Sequence, residues 1–173
     1  VSVSVKMTKA KPHQQLPIDW NEREILRDKG QFWTPSWVAD AMIAYVSENT
    51  DLIFDPATGR GAFYEALLRL NNKNISFFGT DVDSDVLTDE IYSQDNCFVE
   101  QRDFIKNPPK RKFKSIIANP PYIRHHRIDE ETKIFLKNLS ARITGLPIDG
   151  RAGYHIYFLI QALNLLEAGG KLA

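Results

Sequence analysis

Between residues 52 and 118 the apolar positions come in four short runs, each closed by polar or turn-forming residues. Leu52-Ile53-Phe54, Ile75 to Gly79, Cys97 to Gln101 and Lys114 to Ala118 have the length and content of strands. The segments between them change period. Ala62 to Leu70 reads as a helix, and Ser84 can cap another running through Val86, Leu87 and Ile91. Two further helices are expected ahead of the first strand. Asp19, with Glu22 three residues on, has the pattern of a capping box, Ile25 and Leu26 face inward, and Gly30 can end the helix. Thr34 as N-cap with Pro35 at the first helical position opens the second, whose Val38, Ala41, Met42, Tyr45 and Val46 recur at steps of three and four. After the fourth strand, Asp129 can cap a helix carrying Ile134, Phe135, Leu136 and Leu139. The stretch from Arg142 to Gly153 is rich in Gly and Pro, as in a loop near a site. Tyr154 to Glu167 is apolar on nearly every side and should be a helix buried against the sheet. Gly169-Gly170 should end it, and Lys171-Leu172-Ala173 begins a fifth strand. Strands alternating with helices predict an α/β fold, a doubly wound and mostly parallel sheet in the order 3-2-1-4 with right-handed crossovers.

Three strand ends carry candidate chemistry. The first delivers Asp55-Pro56-Ala57-Thr58-Gly59-Arg60-Gly61 to the start of a helix. Glycines there let the backbone approach a ligand, and the unpaired N–H groups of a helix start favour negative charge such as a carboxylate. A dinucleotide fingerprint would place a third glycine where Tyr64 stands, so nicotinamide binding is disfavoured. The second strand ends in Thr80-Asp81-Val82-Asp83, with Asp81 at the separation from the loop at which an acid reaches ribose hydroxyls. The third is followed by Arg102-Asp103-Phe104. An Asx turn with a core Phe is one reading of that stretch, and a ligand contact at the carboxyl end of an α/β sheet is the other.

The fourth strand ends in Asn119-Pro120-Pro121-Tyr122, which suits a specific problem. An exocyclic amino group on a purine is a poor nucleophile because its lone pair is delocalised into the ring. The amide oxygen of Asn119 and the carbonyl of Pro120 can each accept one amino hydrogen and draw that lone pair out. The prolines hold those acceptors rigid and add no competing N–H. Tyr122 offers a face on which a base swung out of a duplex can stack, worth about 1–3 kcal/mol. Arg124, His125, His126 and Arg127 follow directly, where nucleic-acid phosphates would pass.

Composition narrows the setting without choosing a substrate. At 173 residues, 43% hydrophobic and 25% charged, the chain has the size and content of one globular domain. The reading divides it into a flexible tail, 1–18, and one domain, 19–173. Lys plus Arg equals Asp plus Glu, so any contact with a polyanion must come from a local patch. The basic run Lys106 to Lys114 reads as a solvated loop. A single cysteine, Cys97, the lack of a signal peptide and the lack of a membrane span point to the cytoplasm. No metal is expected, since the histidines and Cys97 lack ligand spacing.

Taken together, Phe32-Trp33-Thr34-Pro35, Asp55 to Gly61, Asp81, Asp103-Phe104 and Asn119 to Tyr122 resemble the motif set of S-adenosylmethionine-dependent N6-adenine DNA methyltransferases. The order resembles the gamma subclass, because only 60 residues separate Gly59 from Asn119. The resemblance implies a class I, Rossmann-like methyltransferase fold, incomplete after the start of strand 5. It implies that S-adenosylmethionine is the cofactor, bound by Thr34, Pro35, Asp55, Pro56, Ala57, Gly59, Gly61, Asp81, Val82, Asp103, Phe104 and Asn119. Thr34-Pro35 would touch the methionine end, Asp81 the ribose and Asp103 the adenine amino group, with Phe104 packed on that ring. Asn119, Pro120, Pro121 and Tyr122 would be catalytic on a flipped adenine of double-stranded DNA, with Arg124, His125, His126 and Arg127 on the nucleic acid. Further strands and a C-terminal target-recognition domain or specificity subunit are implied, as part of a restriction-modification system. Methylation of protein glutamine or of RNA remains open, as does a cofactor-binding fragment without activity.

Overall fold

The computed structural model describes residues 19–21, 34–88 and 90–173. The expected tail, residues 22–30 of the helix expected from Asp19 to Gly30, and Phe32-Trp33 lie outside the described residues. Five strands form one parallel sheet in the order β3-β2-β1-β4-β5. They are β1 Leu52–Asp55, β2 Ser76–Asp81, β3 Cys97–Gln101, β4 Phe113–Ile116 and β5 Leu166–Leu172. The helices are α1 Ser36–Val46, α2 Ala62–Leu70, α3 Glu130–Thr144 and α4 Tyr154–Leu165. The expected 3-2-1-4 order and parallel sense are those observed.

Successive side chains of a strand point to opposite faces, and the core divides accordingly. Ile53 and Phe77 pack with Ala39, Ile43, Leu67 and Tyr64 of α1 and α2 on one face. Phe54, Phe113 and Ile116 pack with Leu136, Leu139 and Phe158 of α3 and α4 on the other. Helices therefore cover both faces, and the loops at the carboxyl ends of the strands are left as the working edge.

Three element readings are corrected. Pro35, not Thr34, is the N-cap of α1 and offers no side-chain cap bond. The helix expected after Ser84 is two 3₁₀ turns, Ser84–Thr88 and Glu90–Tyr92. The tighter winding brings the Tyr92 hydroxyl onto the glycine loop, where it donates to the carbonyl of Gly59 at 2.8 Å. Helix α4 stops at Leu165, and Gly169-Gly170 lie within β5. Leu166 opposes Phe113 while Lys171 opposes Ser115, so the extra residues bulge out. A Cβ on Gly170 would stand 2.8 Å from the Lys114 carbonyl, which is why the bulge needs glycine there. Strand β5 thereby covers the β4 edge, and Lys171 pairs with Glu48 at the end of α1. No described helix is long and apolar enough to cross a membrane.

Candidate active site

The loop after β1 is tied down from several sides. Thr58 N–H donates to the Thr80 carbonyl (2.9 Å), Thr80 Oγ1 to the Pro56 carbonyl (3.1 Å), and Gly59 N–H to Asp81 Oδ2 (2.9 Å). Gly61 takes φ +79°, a left-handed conformation that turns the chain into α2. A Cβ there would press on Ile91 at 3.0 Å, whereas one on Gly59, at φ +52°, would meet nothing within 4 Å. The loop thus packs tightly at Gly61 and presents open backbone at Gly59, the shape required of a cradle. Tyr64, which replaces the third glycine of a dinucleotide loop, is buried and donates to Asn96 Oδ1 at 2.7 Å.

Two carboxylates flank this cradle. Asp55 is fully buried; its Oδ1 accepts from Ala57 N–H at 3.0 Å, and Oδ2 has no hydrogen-bond partner. Burial pushes its carboxyl well above the usual range, partly offset by the Ala57 N–H and the neighbouring Thr58 hydroxyl and reinforced by Asp81. Asp81 is also raised, by burial first, although Gly59 and Asp83 N–H groups donate to it. A buried carboxylate oxygen without a partner fits a bound ammonium group, such as that of a methionine moiety. Val82, 62% exposed, places an apolar side chain directly beyond Asp81.

Asp103 and Phe104 divide between the two readings. Asp103 Oδ1 accepts from the N–H groups of Ile105 (2.9 Å) and Lys106 (3.0 Å), an Asx turn. Phe104 is 1% exposed, its ring 5.0 Å from that of Phe158 and 5.8 Å from that of Phe54. A ring so enclosed is a core residue and corrects the expectation that it packs on a cofactor's adenine. Asp103 keeps its place at the carboxyl end of β3.

Asn119 follows β4 between its two neighbours in the sheet: Ile117 N–H donates to the Phe54 carbonyl (2.9 Å) and Ala118 N–H to that of Ala173 (3.0 Å). Its Nδ2 donates to Thr34 Oγ1 at 3.2 Å, and Thr34 is buried. The Thr-Pro segment, expected as a helix start and against the cofactor, therefore also touches the Asn side chain. Replacing Thr34 with Val keeps the shape and removes the acceptor. We expect about a tenfold fall in kcat, from roughly one hydrogen bond's worth of orientation, with little change in cofactor Kd. Titration calorimetry beside single-turnover kinetics checks this, and a raised Kd at unchanged kcat would make Thr34 a cofactor contact instead.

Beyond Pro121 the chain opens into a depression of about 810 Å³. Tyr122, 48% exposed, stands at its wall with its ring 5.1 Å from that of His155. Arg124, His125 and His126 line the depression, and Arg127 of the same turn lies outside its lining. The structure adds Arg151 and His155, which sequence reading assigned to a loop and to the core. No group of acids, histidines and cysteine suited to a metal is present among the described residues.

A parallel sheet with a glycine loop after β1, an acid ending β2 and Asn-Pro-Pro-Tyr ending β4 defines a class I S-adenosylmethionine-dependent methyltransferase fold. A Listeria monocytogenes protein assigned to that class superposes on 79% of this chain and 43% of its own, with a TM-score of 0.53 at 16% identity. Residues 18–173 match the family model described as Eco57I restriction-modification methylase, and the chain belongs to that family. It is 31% identical over 144 residues to the type II methyltransferase M.HincII of Haemophilus influenzae, covering 83% of this chain. It is 30% identical over 148 residues to M.AccI of Acinetobacter calcoaceticus, again covering 83%. The chain spans about a quarter of the length of these relatives, 26% and 27%. The cofactor of this fold is S-adenosylmethionine, as the resemblance implied.

Proposed function

We propose that this protein transfers a methyl group from S-adenosylmethionine to the N6 amino group of adenine in double-stranded DNA, within a restriction-modification system of the cytoplasm. The observation that carries the reading is the position of Asn119-Pro120-Pro121-Tyr122. It leaves β4 beside the glycine loop, with the Asn119 amide anchored on Thr34, and opens into a depression lined by Arg and His. The type II methyltransferase relatives support DNA as the substrate.

Bound S-adenosylmethionine supplies an electrophilic methyl group on a sulfonium. Asp55 would meet the methionine ammonium, with Pro56, Ala57, Gly59 and Gly61 forming the cradle and Thr34-Pro35 bordering it. Asp81 would accept from the ribose hydroxyls, Val82 would pack on the adenine, and Asp103 would accept from its amino group. Asn119 Oδ1 and the Pro120 carbonyl accept the two hydrogens of the substrate amino group. Its lone pair is thereby localised for attack; forming the N–C bond would break the sulfonium's bond to the methyl group, leaving S-adenosylhomocysteine as a neutral thioether, and the proton lost from nitrogen would pass to solvent. Pro121 stiffens the turn and Tyr122 stacks on the flipped base. Arg124, His125, His126 and Arg127 hold the strand. Residues 19–173 act as the methyltransferase domain, with base recognition supplied by a target-recognition domain or specificity subunit.

The deciding experiment offers labelled S-adenosylmethionine with DNA, RNA or release factor separately, then digests the labelled nucleic acid to nucleosides. Label in N6-methyladenine of DNA is expected. Label in N4-methylcytosine, RNA or protein would overturn the assignment.

Cofactor binding supplies a further test. Asp81→Ala removes a carboxylate that hydrogen-bonds a ribose hydroxyl, at an expected cost of about 1.5–3 kcal/mol in S-adenosylmethionine affinity. Unchanged affinity in calorimetry would refute the role of Asp81.

A further inference from the structure

The loop between α3 and α4 forms one wall of the depression, anchored where Tyr154 N–H donates to the Ile123 carbonyl at 3.0 Å. Arg151 on this loop grips Asp149 through a fork, Nε to Oδ1 at 3.2 Å and Nη2 to Oδ2 at 3.0 Å. The backbone N–H of Arg151 also donates to Asp149 Oδ1 at 2.9 Å. Both side chains are exposed, and the Asp149 carboxyl is held down at about 2, by Arg151 first and also by the charge of His125.

A carboxylate taking two parallel N–H bonds from a guanidinium presents the geometry of two oxygens of a phosphate diester. An exposed pair of this kind contributes little net stability, so a phosphate fixed nearby competes for the Arg without a large penalty. Arg124, His125 and His126 already stand on the facing turn, and the His155 ring, whose buried Nδ1 has no partner, backs Tyr122. A backbone phosphate next to a base stacked on Tyr122 would therefore lie within the reach of both walls.

Building on the DNA reading above, we propose that Asp149 and Arg151 form the second wall of a phosphate subsite for the DNA backbone flanking the target nucleotide. Asp149 occupies the Arg151 fork in the free protein and yields it to the phosphate. The pair sets affinity in opposite senses: Arg151 attracts the backbone, and Asp149 moderates that attraction until a correctly placed phosphate takes its position.

The test uses the natural full-length protein and a duplex that the wild type methylates, with binding followed by fluorescence anisotropy over a salt series. Arg151→Gln should weaken binding about tenfold and lower the slope of log K against log salt by about 1. Asp149→Asn should tighten binding severalfold at low salt. Cofactor affinity and melting temperature should hold in both, since the pair lies on an exposed loop. Replacing single phosphates of the duplex by neutral methylphosphonates should reveal one position at which Arg151→Gln no longer matters. An unchanged salt slope in Arg151→Gln, or an Asp149→Asn variant weakened like Arg151→Gln, would overturn the inference while leaving DNA methylation by the wild type standing. If the wild type methylates no DNA, the reading of its substrate fails and this inference falls with it.

Discussion

Substitution of Asn119 by Ala should nearly abolish methyl transfer, by a factor of about 10²–10³ or more, while S-adenosylmethionine affinity stays close to wild type. The size follows from removing one preorganised acceptor from a site where charge develops in the transition state. The separation of kcat from Kd follows from position. Asn119 lies just beyond β4, whereas the cradle is built by the loop after β1 and the end of β2, which are held by their own bonds through Thr58, Gly59 and Asp81. The Asn119 side chain reaches Thr34, and no hydrogen bond to the glycine loop is needed to place that loop. A group that acts only on the nucleophile lowers the rate without lowering cofactor binding. If Asn119 instead served to shape the Pro-Pro turn, the variant would lose thermal stability and cofactor affinity together. Calorimetry, thermal melting and single-turnover rates on one preparation separate the two outcomes.

Asp55→Asn should move stability and cofactor affinity in opposite directions. In the folded protein without cofactor, the Asp55 carboxyl is fully buried with one oxygen lacking a partner, and its pKa is raised well above 3.8 by burial. The folded state therefore holds a proton that the unfolded state releases, and stability is lost as pH rises from the unfolded value toward the raised folded one. The contribution is fully present below pH about 4, the ordinary carboxylate range. Asn cannot ionise, so the variant should lose this part of the slope and be more stable near neutral pH, on the order of 1 kcal/mol, because it is spared the cost of taking up a proton, or burying a charge, on folding. The same change removes the carboxylate proposed to pair with the methionine ammonium, for which about 2–5 kcal/mol of affinity should be lost. Wild-type binding should release a proton and strengthen as pH rises through the folded pKa. Melting curves across pH, with calorimetry in buffers of different ionisation enthalpy, measure both effects. A variant with wild-type melting and affinity at every pH would remove Asp55 from the site.

Much of the architecture was legible along the chain because strand, loop and helix start are local events. An apolar run followed by Asp-Pro-Ala-Thr-Gly-Arg-Gly and a helical repeat specifies β1, its cradle and α2 within about twenty residues. Asp81 was found the same way, since its place depends only on where β2 ends. The Asp129 cap was equally local, and its Oδ1 accepts from Thr132 N–H at 2.8 Å. Side-chain burial was less legible. Phe104 looks the same in sequence whether it faces a ligand or the rings of Phe54 and Phe158, and only the packing of α4 against the sheet decided for the core.

The remaining features depended on contacts between residues far apart in the chain. Thr34 has the local pattern of a helix cap, the usual role of a Thr before Pro, yet its hydroxyl meets Asn119, 85 positions away. Gly169-Gly170 has the local pattern of a helix stop, but the bulge in β5 exists because β4 lies alongside and its Lys114 carbonyl leaves no room for a Cβ. Ser84 to Tyr92 carries a fair helical pattern, and the bonds from Tyr92 to the glycine loop favour tighter turns instead. Arg151 and His155 join the basic depression only because α4 starts against Ile123. Local propensity and period therefore determined the order and kind of elements and the residues at the strand ends. Tertiary packing decided which side chains those ends present to a ligand, because burial and partner choice are set by neighbours that the chain brings together only on folding.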